Sequence, residues 1–185
     1  MASSGASTTA SNKRRLLLLL VAGAVLLAPA SARRRPVRLR VYMHDIVGGP
    51  GQTAALLVRG PGPENPSMHP GNYFGDTVAV DDLLTEGLAA GSAPVGRAQG
   101  LYMGSDQARL GFLQAMNLVF TSGAHNGSTL ALLGRNCPLD AVRELPVVGG
   151  TGAFRFARGY ALLRTRWLDA RTGDATVEYD VYVMH

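Results

Sequence analysis

An all-β domain closed as a barrel is what this sequence predicts, and three observations predict it. From Val37 onward, short alternating or apolar stretches are separated by glycine and proline, with no sustained helical stripe. About eight such stretches occur, and at that number closing the sheet removes its exposed edges. Late in the chain, FRFARGYALLRTRW alternates with a period of two, placing Phe154, Phe156, Arg158, Tyr160 and Leu162 on one side and Arg155, Ala157, Gly159, Ala161 and Leu163 on the other.

Taken in order, the first strand is expected over Leu39 to Ile46, where Leu39, Val41 and Met43 share a face with Asp45. Further strands are expected over Thr53 to Val58 and Gly75 to Val80. The proline- and glycine-rich Arg59 to Tyr73 forms a long loop between them. Next come Val95 to Tyr102 and Leu110 to Thr121; the latter has a helical alternative, since Leu110, Leu113, Met116 and Val119 fall at helical spacing. Ser128 to Leu133 follows. One strand is then expected from Arg143 to Val148, continuing after the glycines to Arg166, and a last one over Thr176 to Met184.

The glycines of PVVGGTGAFRFARGYA, Pro146 to Ala161, invite comparison with phosphate-binding loops and fail it. Gly150 and Gly152 supply two positions of a dinucleotide fingerprint, but Arg155 stands where the third glycine belongs. A P-loop needs a lysine at its end, and the single lysine, Lys13, lies far upstream. Gly149, Gly150 and Gly152 are better explained as a bend or bulge in a strand.

Residues 1–32 have the parts of a secretory signal. Lys13, Arg14 and Arg15 precede the apolar run Leu16 to Leu27, and Ala30-Ser31-Ala32 forms a small-residue cleavage site. The run is too short to span a bilayer, which takes roughly 20 residues. The mature domain is therefore expected over residues 33–185. Removing the signal takes three of the 18 basic residues against 13 acids. The mature chain is then near balance, which argues against a nucleic-acid partner, and no membrane association is expected after cleavage. The lone cysteine, Cys137, has no partner for an internal disulfide. The sequon Asn126-Gly127-Ser128 suits a glycosylated surface loop of a secreted protein.

The chemistry candidates are few. G-x-S-x-G is absent, and His44, His69, His125 and His185 lie in separate segments without metal-ligand spacing. No metal or organic cofactor is implied. The acids to consider are Asp45, Asp81, Asp82, Asp106, Asp140 and Asp180. Adjacent strand residues face opposite ways, so Asp81 and Asp82 cannot line one site together, and Asp82 before LLTEG suits a turn. Asp45 ends an apolar inward face, where burial would raise its pKa and suit it to acid or base work; pattern alone equally allows it to sit past the strand end in water. Arg97, Arg143 and Arg158 can each enter a pocket or pair with an acid.

MHDI at Met43, FGDTVAVDDLLT at Phe74, VGRAQGLY at Val95, LVFTSGAHNGSTLALLGRN at Leu118, RELPVVGGTGAFRFARGYA at Arg143 and ATVEYDVYVMH at Ala175 together resemble the plant dirigent family, in the same order and across nearly the whole mature chain. The resemblance implies an eight-stranded antiparallel β-barrel with a central hydrophobic cavity, a homo-oligomer with a trimer favoured, and secretion to the apoplast. It implies phenolic substrates: phenoxy radicals of monolignols such as coniferyl alcohol, made by an external laccase or peroxidase and coupled stereoselectively to lignans. It implies two other activities as well, dehydrative ring closure of isoflavonoid-type phenolics through quinone methides, or a non-catalytic part in lignin deposition.

Residue by residue, Asp45 resembles a cavity carboxylate that transfers protons and Arg143 the arginine paired with that site. Tyr102 and Thr165 resemble pocket residues, and Asn126 the glycan position. At Asn136 the chain departs from pinoresinol-forming members, which have a second aspartate there. An amide binds a phenolic oxygen but cannot deliver a proton as an acid does.

Overall fold

Nine strands succeed one another along the chain: β1 (Val37–Asp45), β2 (Ala54–Val58), β3 (Thr77–Thr85), β4 (Pro94–Gly104), β5 (Phe112–Phe120), β6 (Thr129–Asn136), β7 (Arg143–Thr151), β8 (Arg158–Leu168) and β9 (Ala175–Met184). The computed structural model describes residues 36–64 and 74–185. The secretory segment expected over residues 1–32 lies outside the described residues, as does the 65–73 part of the expected long loop.

The strands pair antiparallel in the order β1-β9-β8-β7-β6-β5-β4-β3-β2, and a further pairing of β1 with β3 closes eight of them into a barrel. Strands β1 and β2 share one edge of β3. Tyr42, Met43 and His44 pair with Thr85, Leu84 and Leu83, whereas β2 pairs with the stretch Thr77 to Val80. Leaving β1, the chain steps outward and returns to the same edge lower down, which opens a seam in the wall between the two.

Alternation decides the strands. On β5, Gln114, Met116, Leu118 and Phe120 are buried while Leu113 and Asn117 face out, so the helical alternative for this segment does not form. On β9 both faces are buried. Val177, Tyr179, Val181 and Val183 fill the barrel, and the outward Glu178 and Asp180 lie beneath arginine side chains. Arg38 grips Asp180 with two bonds of 2.7 Å, and Arg166 reaches Glu178 at 2.9 Å, so aliphatic stems shield the sheet while the charges pair.

The single strand expected through the glycines is two strands. β6 and β7 shift register between Ala131 and Leu132, which confirms a bulge beside Gly149. The chain then leaves the sheet in a 3-10 turn over Gly152–Phe154. Gly152 has φ 61° and Phe156 φ 65°, left-handed conformations that end one strand and re-aim the next. The expected alternation holds only from Ala157, with Ala157, Ala161 and Leu163 buried; Phe154 turns inward, away from the side predicted for it.

Close packing fixes some glycines within the wall. A β-carbon at Gly100 would stand 2.1 Å from the Ala115 carbonyl, and one at Gly159 1.9 Å from that of Tyr182, so neighbouring strands approach too closely there for any side chain.

Candidate functional site

The barrel's two ends differ. The connections β1–β2, β4–β5, β6–β7 and β8–β9 gather at one end, and there a cavity of about 450 Å3 opens between the strand ends. Met43, Val78, Phe112, Met116, Leu168 and Val177 supply its apolar wall. Among the polar groups that meet it are the Arg59–Asp76 ion pair, at 2.8 Å, and two clusters that hold the expected site residues.

The first lies at the seam. The β1–β3 pairing ends where His44 opposes Leu83, and the next residue of each strand, Asp45 and Asp82, lines the cavity. The Thr53 hydroxyl, where the chain returns to β3, donates to Asp82 Oδ1 at 2.6 Å and accepts from the Ile46 amide at 3.0 Å, tying the seam together. Asp82 Oδ2 and Asp45 Oδ1 are buried, and neither has a hydrogen-bond partner among the described residues.

Burial pushes the Asp45 carboxyl up to about 7, helped by the negative charge of Asp174, whose carboxylate is held by the Val47 amide at 2.7 Å. Asp82 rises to about 8 through burial and the charge of Asp45, with the Thr53 bond pulling the other way. Tyr102 also feels them: its phenol is held protonated by burial and by these two carboxyls, and its ring packs 4.8 Å from that of Phe112.

The second polar group is a guanidinium. Arg143, buried at the start of β7, donates from Nε to Asn136 Oδ1 at 3.1 Å and from Nη1 to Thr165 Oγ1 at 2.9 Å. Asn136 Nδ2 donates to Gln114 Oε1 at 2.7 Å, and Gln114 Nε2 to the Tyr179 hydroxyl at 3.0 Å. Five strands, β5 to β9, thus contribute to one chain of hydrogen bonds, which fixes which way the Asn136 amide points. Burial lowers the Arg143 pKa, yet a guanidinium keeps its charge, and no ion pair joins it to a carboxylate among the described residues. A buried cation in this state suits an anionic oxygen on a ligand.

All five residues expected at the site, Asp45, Tyr102, Asn136, Arg143 and Thr165, line the cavity. Asp45 and Arg143 occupy different places on its wall rather than forming a pair. Asn126 lies elsewhere, exposed in the turn after Gly123–His125 at the other end of the barrel. Asp81 and Asp82 do face opposite ways, and Asp81 pairs with Arg97 outside at 2.7 Å. The turn role expected of Asp82 is overturned: it is a fully buried strand residue on the cavity wall. Val78, Val80, Asp82 and Leu84 share one parity, a signal available in the sequence. Gln114 and Tyr179 were missed too, since nothing local marks an inward glutamine as part of a network. Among the described residues no three His, Cys, Asp or Glu side chains group so as to hold a metal ion.

The fold and this cavity define a closed β-barrel protein with an internal cavity of a size for a small molecule. The Dirigent-like protein family model matches residues 37–184, and the chain belongs to that family. It is 49% identical over 147 residues to Dirigent protein 21 of Arabidopsis thaliana, covering 80% of this chain and 76% of that one. To Pterocarpan synthase 1 of Glycyrrhiza echinata it is 44% identical over 148 residues, covering 80% and 77%. Among solved structures, the pterocarpan synthase dirigent protein PsPTS1 superimposes with a TM-score of 0.75 at 43% identity, covering 82% of this chain and 96% of that one.

Proposed function

We propose that this protein binds an isoflavonoid-type phenolic in its barrel and closes a ring in it through a quinone methide, with Asp45 as general acid and Arg143 as the anchor of the phenolate oxygen. One observation carries the reading: a carboxyl on Asp45 with one buried, partnerless oxygen shares an apolar cavity with a buried guanidinium that has no carboxylate partner among the described residues. The similarity to proteins named pterocarpan synthase supports the substrate class.

The steps balance. A phenolate oxygen at Arg143 pushes electrons through its ring while Asp45 protonates the benzylic hydroxyl at the far side. The C–O bond breaks, water leaves and a neutral quinone methide remains. A second phenol of the same molecule then adds to the methide carbon, its proton passes to carboxylate, and the electron pair returns to the oxygen at Arg143. One water is lost overall and no electrons are exchanged. The hydrogen-bonded wall of Asn136, Gln114 and Thr165 holds Arg143 still, so that orientation is set before the bond forms.

Guidance of monolignol radical coupling to lignans is the second reading, favoured by the similarity to proteins named dirigent. It needs a laccase or peroxidase to make the radicals, and Asn136 removes the second acid that pinoresinol formation would use. Secretion to the apoplast as an Asn126 glycoprotein fits either reading, with Asn126 exposed and away from the cavity.

Purified protein is tested in two arms. An isoflavanol carrying a free phenol on each ring, without oxidant, is expected to give the cyclised product as one enantiomer. Coniferyl alcohol with a one-electron oxidant is expected to give racemic lignans. Optically active lignan in the second arm, with no turnover in the first, would reverse the choice.

A further inference from the structure

Ring closure as proposed passes the proton of the attacking phenol to a carboxylate and leaves open which carboxylate takes it. The leaving hydroxyl and the attacking phenol meet at one carbon, so donor and acceptor belong at the same place on the wall. Arg143 cannot fill either role, since it lacks a proton acceptor and sits with Asn136 and Thr165.

The seam supplies both. Asp45 and Asp82 are the next residues beyond the last β1–β3 pair, His44 with Leu83; both line the cavity, the Asp45 charge acts on Asp82, and each keeps one buried oxygen without a partner among the described residues. Two carboxylates coupled in this way cannot both ionise cheaply, and the pair titrates as a unit. Asp82 is the less mobile of the two, since Thr53 donates to its other oxygen. The charged and titratable groups around them are Asp174 from the β8–β9 connection, Tyr102 on β4 and Tyr179 on β9. Outside the wall lie Arg97 and Asp81, already paired with each other. None offers a free cation to hold both carboxyls ionised.

On the reading of the cavity as a quinone-methide cyclase, we infer that Asp82 is a second catalytic residue, sharing one proton with Asp45 so that one carboxyl donates to the leaving hydroxyl while the other takes the proton of the attacking phenol. Each turnover moves a single proton from phenol to departing water through the pair, which returns to its starting state. No solvent proton is required.

The test uses the isoflavanol diol and two readouts, the pH dependence of kcat/KM and the infrared band of protonated carboxyl. The wild-type rate is expected to be bell-shaped, falling at low pH when both carboxyls are protonated and at high pH when neither is. The infrared band should show one proton spread over the pair through the neutral range. Asp82→Asn should bind the phenolic normally, lose about 100-fold or more in kcat, lose the low-pH limb, and shift its high-pH limb to lower pH as the like charge disappears.

Thr53→Val, which removes the donor to Asp82 without touching either carboxyl, should move the profile to higher pH, and it decides the matter if Asp82→Asn does not fold. An Asp82→Asn protein that keeps both limbs and a rate within about twofold of wild type would overturn the inference. So would two carboxyls that titrate independently in the infrared. Absence of turnover by wild type would instead remove the cyclase reading, and the catalytic role of Asp82 with it, whereas the infrared titration would still report on the shared proton.

Discussion

The two ends of the barrel are made from the same eight strands and are built oppositely. At the closed end Phe120, His125, Phe154 and His185 pack their rings in tilted and edge-on contacts with centroids 4.8 to 5.9 Å apart, and Phe154 is completely buried. At the open end the same inner face carries Asp45, Asp82, Gln114 and Arg143 around a cavity. Aromatic packing at one end supplies the stability that lets partnerless polar groups persist at the other. Stability and chemistry are therefore separable by position along the strands, and substitutions at the two ends should have opposite signatures.

Phe154→Ala should give the largest change in stability. Removing a fully buried ring from a packed cluster costs about 3–5 kcal/mol, read as a lower denaturation midpoint, while phenolic binding measured below that midpoint stays within about twofold. Tight coupling between this substitution and ligand affinity would break the separation.

Asn136→Asp should be smaller in stability and sharper in function. An aspartate there pairs with Arg143 but cannot donate to Gln114 as the amide does at 2.7 Å, so Gln114 must turn over. The guanidinium is then neutralised by its own wall, and affinity for a phenolate is expected to fall about tenfold, a loss of one charge-assisted contact. Calorimetric titration with the isoflavanol diol reads it. Unchanged affinity would mean that Arg143 does not hold the phenolate.

Strands are legible where alternation is clean, as in β1, because a half-buried strand writes its inner face into every second residue, whereas in β5 apolar residues at helical spacing leave a helix open until the sheet is assembled. The break between β7 and β8 was not legible, since the alternation of FRFARGY runs straight through a turn whose two left-handed residues carry no periodic signature beyond one glycine. Asp45 ends an apolar face, a pattern that also allows a place in water, and the family resemblance is what singles it out. Asp82 was missed although its parity with Val80 and Leu84 pointed inward, because the two aspartates meet only through the pairing of β1 with β3, and barrel closure is a long-range event. The Arg143 network draws on β5, β6, β8 and β9, so its members are recognisable only once the wall is assembled.

Asp45→Asn tests the central claim most directly, with oxidant-free turnover of the isoflavanol diol, ligand affinity and thermal unfolding measured on the same protein. The amide keeps the shape of the side chain and removes its proton. Turnover is expected to fall by about 100-fold or more, the range for loss of a general acid, with affinity unchanged and the unfolding temperature no lower than that of wild type, since a buried oxygen without a partner is being neutralised. A variant that turns over within about twofold of wild type would contradict the assignment of Asp45 as the acid.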